Sequence, residues 1–170
     1  EFLTSRGVPR AMPAEKIVAN RALTVKIVGL FTPPERARTV PIQYVEPIYR
    51  PPSEAQSLLL QATIGCSHNA CTFCAMYRTK PYRVRPIAEV YRDLEMLAEY
   101  YRRSGAPRKI FLCDGDALAA PTAFLLKVLQ KIKECFAGRV VRVAAYASAR
   151  NVAAKSDEEL RLLAAHGLTL

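Results

Sequence analysis

The sequence predicts an α/β domain built on a parallel sheet of repeated strand–helix units. Two observations predict it. From Ser57 onward, short apolar runs alternate with longer segments whose apolar residues recur at three- and four-residue steps. Glycine, proline or a capping residue marks most of the junctions between them. Strands alternating with helices in this way form parallel sheets joined by right-handed crossovers.

The elements follow in order. Residues 1 to about 40 read as a poorly ordered or irregular extension. Only Ala22 to Phe31 resembles a strand there, among Pro9, Pro13, Pro33 and Pro34. The domain proper is expected over 41–170. Its first stretch, Pro41 to Pro52, is rich in proline and tyrosine and should run extended over a surface. Leu58 to Ile64 is an apolar run ended by Gly65, the pattern of a buried strand. A helix should follow from about Pro86 to Ser104, with Ile87, Val90, Leu94, Leu97 and Tyr101 on one face and Gly105 as its stop. Lys109 to Cys113 is a second strand, closed by Asp114-Gly115-Asp116. A second helix spans about Pro121 to Phe136, with Leu125, Val128, Leu129, Ile132 and Phe136 aligned. Val140 to Ala147 is a third strand. Ser156 with Glu159 three residues on is a capping box, and it opens a third helix that ends near His166-Gly167. Leu168 to Leu170 begins a fourth strand. The absence of an initial methionine and the break at that strand predict a piece of a longer protein.

Composition narrows the function classes. No run of about 18 uncharged apolar residues exists to span a membrane. The N-terminus lacks the pattern of a secretory signal, so a cytoplasmic location is expected. The 170 residues carry 25 basic and 15 acidic side chains, a formal charge of +10, which favours an anionic partner. Of five cysteines, Cys66, Cys71 and Cys74 lie close together and two lie far along the chain in apolar runs. A disulfide framework would pair them and spread them; a cytosolic metal site fits better.

The loop reads Gly65-Cys66-Ser67-His68-Asn69-Ala70-Cys71-Thr72-Phe73-Cys74, a C-x4-C-x2-C spacing. Thiolates three positions apart reach one metal centre, and a third a few residues earlier closes over it. A structural zinc site needs four protein ligands, and here only His68 or Cys113 is at hand as the fourth. An iron–sulfur cluster with three protein thiolates leaves one iron free for a small molecule. Loops leaving the strands of a parallel sheet emerge at one edge. The cysteine loop, the Asp114-Gly115-Asp116 turn and Ser148 should therefore converge.

The stretch from Gly65 to Tyr77, with Arg78 to Pro86 after it, resembles the cluster loop of the radical S-adenosylmethionine superfamily. The usual spacing there is C-x3-C-x2-C. The four-residue first gap is similar to a branch reading G-C-S-H-N-x-C-T-F-C-x-M-Y, and the likeness runs from about residue 41 to the end. The resemblance implies the N-terminal part of a partial (β/α)6 TIM-like barrel. It implies a [4Fe–4S] cluster held by Cys66, Cys71 and Cys74, with S-adenosylmethionine at the free iron. An electron from the cluster would then give a 5′-deoxyadenosyl radical that takes hydrogen from a substrate. It further implies that Phe73 packs on the adenine, that the Asp114-Gly115-Asp116 turn receives the amino group, and that Ser148 meets the ligand. A reductant such as flavodoxin or ferredoxin is implied as partner. The substrate, whether small molecule, RNA or protein, is left open.

Other readings stand beside these. Asp114 and Asp116 also suit turn formation or a separate metal. Cys113 and Cys135 read as core thiols, and His166 as a helix-end residue. Arg78, Lys80, Arg83 and Arg85, with Tyr77 and Tyr82 interleaved, suit a solvated connection, an anionic substrate or a nucleic acid. Two rivals to the enzyme follow: a zinc-binding basic nucleic-acid module, and an electron-transfer iron–sulfur protein.

Overall fold

The computed structural model describes residues 40–103 and 105–169. The expectations for residues 1–39, including the strand over Ala22 to Phe31, lie outside them. Four parallel strands form the sheet: β1 (Leu58–Leu60), β4 (Lys109–Leu112), β5 (Arg142–Ala145) and β6 (Leu168–Thr169), in the spatial order β1-β4-β5-β6. Register aligns Leu59 with Phe111, and Phe111 with Ala144. The long helices α1 (Ile87–Tyr101) and α2 (Thr122–Cys135) each connect two neighbouring elements of the sheet, and α4 (Asp157–Ala165) leads into β6. The fold is thus the predicted α/β arrangement of parallel strands and helices.

The two faces of the sheet bury different things, because side chains alternate along a strand. Leu58, Leu60, Ile110, Leu112, Val143 and Ala145 share one apolar core with the helices. Into it α1 places Val90, Leu94 and Leu97, and α2 places Leu125, Val128, Leu129 and Ile132. Each such leucine contributes roughly 1.5–3 kcal/mol by leaving water. The opposite face carries a smaller cluster of Leu59, Phe111, Cys113 and Ala144, against which Tyr44 and Ile48 pack. The extended segment before β1 therefore covers the helix-free face. Tyr44 Oη donates to Leu59 O at 2.9 Å, and the Gln61 amide both accepts from Val45 N and donates to Val45 O.

Three elements depart from the sequence expectation. The run from Leu58 to Ile64 does not form one strand. It breaks at Gln61, and β2 (Thr63–Ile64) pairs antiparallel with β3 (Arg83–Val84) in a separate small sheet. A short helix, α3 (Ala149–Ala153), follows β5, capped by Ser148 Oγ, which accepts from Asn151 N. A 3-10 turn at Ala117–Ala119 leads from the β4 turn toward α2. The capping box of α4 is present in full, with Ser156 Oγ accepting from Glu159 N and Glu159 Oε2 accepting from Ser156 N. No helix of the described residues is long and apolar enough to cross a membrane.

Candidate functional site

Pairing of β2 with β3 gives the cysteine loop, residues 65–82, a closed neck. Gly65 starts it at φ +74°, a conformation that glycine tolerates. A side chain there would also meet Lys80 O at 2.4 Å, so the two ends of the loop touch. Inside the loop, Asn69 Nδ2 donates to Tyr77 O at 2.8 Å. Arg78 Nη2 donates to Cys71 O at 2.8 Å, and its Nε to Cys74 O at 3.4 Å. The backbone that carries the thiols is thus organised by side chains of the same loop.

Cys66, Cys71 and Cys74 are free, half-buried thiols. Among the described residues, no three His, Cys, Asp or Glu side chains are grouped closely enough to hold a metal ion. The sulfurs are therefore brought onto one loop but not into one coordination sphere. Their chemistry nonetheless suits a cluster, since three soft donors share the loop and no disulfide engages them. Phe73 stands between the second and third of them with its ring 90% exposed.

The predicted convergence of loops is present. Gly115 N donates to Gly65 O at 3.0 Å, laying the turn after β4 against the start of the cysteine loop. Gly115 has no room for a side chain: a Cβ would lie 2.7 Å from Cys66 Cβ and 2.9 Å from the Tyr77 ring. Its close approach is therefore to the protein's own loop. Asp116, buried, accepts through Oδ2 from Ser67 Oγ and from Asn151 Nδ2, and Asn151 also donates to Ser67 Oγ. One carboxylate thus joins the cysteine loop, the β4 turn and α3. Its other oxygen, Oδ1, is buried without a hydrogen-bond partner, as is Tyr82 Oη. Burial, then the charges of Asp116 and Cys66, pushes the Tyr82 phenol up to about 12. Beside this network opens a cleft of about 580 Å³ lined by residues that include Ser67, His68, Tyr82, Ser148, Arg150 and Asn151.

The two aspartates of the turn have different surroundings. Asp114, at φ +70°, is fully buried. Its Oδ2 accepts from Gly65 N and pairs with Lys80 Nζ, both at 2.7 Å, and its Oδ1 accepts from Gln61 Nε2 at 3.1 Å. The Asp114 side chain is engaged within the protein through both oxygens, whereas Asp116 keeps a buried oxygen without a partner. Cys113 is buried on the helix-free face of the sheet, and burial followed by the Asp114 charge pushes its thiol up to about 12. Such a site disfavours the thiolate that a fourth ligand needs.

Of the four basic residues in the stretch, three are tied within the protein, although Arg78 is exposed. Lys80 is buried, Arg78 holds loop carbonyls, and Arg85 pairs with Asp93 and Glu89 while donating to Gln61 O. Arg83 alone of the four lacks such ties and is exposed. Sequence reasoning missed Arg150 and Asn151 as members of the site, and it named Lys80 and Tyr82 only as parts of the basic stretch. The one signal available was Gln61, a polar side chain inside an apolar run that had to find a partner.

Comparison with known proteins gives one family. The family model described as the Radical SAM superfamily matches residues 60–170. No curated protein and no solved structure matches the chain.

Proposed function

This chain belongs to the radical SAM superfamily, and on that premise we propose that it is a radical S-adenosylmethionine enzyme. Cys66, Cys71 and Cys74 would hold a [4Fe–4S] cluster, and S-adenosylmethionine would bind at the iron they leave free. The observation that carries the reading is the meeting of the cysteine loop, the β4 turn and α3 at one edge of the sheet, through Gly115 on Cys66 and Asp116 on Ser67 and Asn151. When bound, the cluster would supply one electron for reductive cleavage of the sulfonium, which releases methionine and leaves a 5′-deoxyadenosyl radical.

The residues of the chain have separable tasks in this reading. Gly115 lets the turn approach Cys66 without a clash. Asp116, through its unpartnered Oδ1, offers an acceptor to the ammonium of the ligand. Phe73 offers an exposed ring for a base to stack on. Ser148 borders the cleft and caps α3. The reductant would be a low-potential carrier such as flavodoxin or ferredoxin, and the working compartment the cytoplasm.

Anaerobic reconstitution with iron and sulfide tests this. The expected result is about four iron and four sulfide per chain, a visible absorbance bleached by dithionite, and an EPR signal that changes when S-adenosylmethionine is added. Tight zinc with no sulfide-dependent chromophore would replace the enzyme with a zinc module. A cluster whose EPR ignores S-adenosylmethionine would replace it with an electron-transfer protein. Cys71→Ala should abolish cluster retention and Cys113→Ala should not; equal loss from both would point to a four-cysteine site.

A further inference from the structure

The neck of the cysteine loop is closed by more than two short strands. A single oxygen, Asp114 Oδ2, takes the Gly65 N–H at the start of the loop and the Lys80 ammonium at its end, both at 2.7 Å. Lys80 is 4% exposed, yet all three of its protons have acceptors. Beyond Asp114, they go to Val45 O at 2.7 Å and Pro47 O at 3.0 Å. The ammonium also stands 5.5 Å from the centre of the Tyr77 ring. Gln61 completes the circuit, joining Asp114 Oδ1 to both polar groups of the Val45 backbone.

Three features set this pair apart from an incidental ion pair. It is desolvated, so each missing partner would leave a buried charge or carbonyl unsatisfied. It acts on the backbone at a residue, Gly65, adjacent to Cys66. And it draws in Val45 and Pro47, which precede the matched residues 60–170. We propose that Lys80 is a positioning residue that locks the neck of the thiol loop and couples it to the segment around Val45–Pro47. Its purpose rests on the cluster reading above: it fixes where Cys66 leaves the sheet, so that three thiols on a long loop meet one cluster.

The test uses the full chain, both free of cluster and anaerobically reconstituted. Lys80→Met leaves Asp114 buried without its counter-charge, so Lys80→Met/Asp114→Asn is made beside it, which removes both charges and keeps an acceptor for Gly65. The first readout is amide hydrogen exchange over residues 44–48 and 65–82 in the cluster-free protein. The second is the rate at which a chelator strips iron from the reconstituted protein. With far-UV circular dichroism unchanged, the double variant should exchange about tenfold faster in both segments, the loss of roughly one charged hydrogen bond, and should lose iron at least several-fold faster. A folded double variant with wild-type exchange overturns the lock, whatever the cluster does. Faster exchange confined to 44–48 overturns the lock on the loop, and faster exchange confined to 65–82 overturns the coupling. Unfolding of both variants makes the pair a requirement of the fold and overturns the positioning role. If the wild type takes up no iron–sulfur chromophore, the cluster reading fails, and the exchange arm alone still decides the lock.

Discussion

At the scale of single residues, the site depends on places where a side chain would not fit. Gly115 is the clearest. The space its Cβ would need is occupied by Cys66 and Tyr77, and both are fixed, the first by the neck of the loop and the second by its own buried ring. Gly115→Ala should therefore destabilise by about 1–3 kcal/mol, as overpacking does, measurable as a lower urea midpoint with unchanged slope. It should also slow cluster uptake, because the shift falls on Cys66. Little of this was legible beforehand. The glycine was visible as part of a turn expected to receive a ligand, but its close neighbours within the chain, Cys66 and Tyr77, were not. Asp114 and Asp116 looked equivalent in sequence. Burial distinguishes them: one is enclosed by Gly65, Lys80 and Gln61, and the other keeps an unpartnered oxygen.

At the scale of elements, local pattern was a good guide wherever one chain segment decides the outcome. Of the aligned residues, Val90, Leu94 and Leu97 of α1 and Leu125, Val128, Leu129 and Ile132 of α2 are buried, Ile87 and Tyr101 are half-buried at the ends of α1, and the capping box predicted at Ser156 forms in full. Ser156→Ala should cost about 1 kcal/mol of stability, while Ser156→Asp, which keeps a capping oxygen, should retain most of it; thermal unfolding followed at the helix signal checks both. The cap matters beyond its own helix, since Glu159 also accepts from Thr122 Oγ1 at 2.5 Å and so ties the start of α4 to the start of α2. What local pattern missed was pairing at a distance. β2 and β3 are two residues each and carry no periodicity of their own; only their ladder makes them strands. The same holds for Asn151 and Ser67, which meet on Asp116 solely because parallel strands deliver their loops to one edge.

At the scale of the whole molecule, the sheet separates two environments. The helix side is a conventional apolar core. The other face is small, covered by the segment before β1, and includes titratable groups. Burial raises the phenols of Tyr44 and Tyr77 well above their ordinary value, and the Cys113 thiol from 9.0 to about 12. For an acid whose folded pKa is raised, the protonated form is favoured by folding, so the contribution to stability is complete below the unfolded pKa. It declines as pH rises from about 9 and is lost through about 12. The urea midpoint of the cluster-free protein should accordingly hold steady to about pH 9 and then fall. Cys113→Ala should remove the earliest part of that fall and leave the tyrosine-driven part. The parallel α/β class was legible because it follows from the alternation of elements, which is local. That the helix-free face would be covered by residues 40–50 was not, because an extended proline-rich stretch gives no signal of which surface it lies on.

The paired neck of the cysteine loop has one more consequence. Ile64 faces Arg83 and Thr63 faces Val84, while Arg85 N returns to Ala62 O, so the chain enters and leaves residues 65–82 at practically the same point. A segment bounded in that way is a cassette. It should be transferable between two neighbouring positions of another α/β sheet, provided that the Lys80 and Asp114 anchors travel with it.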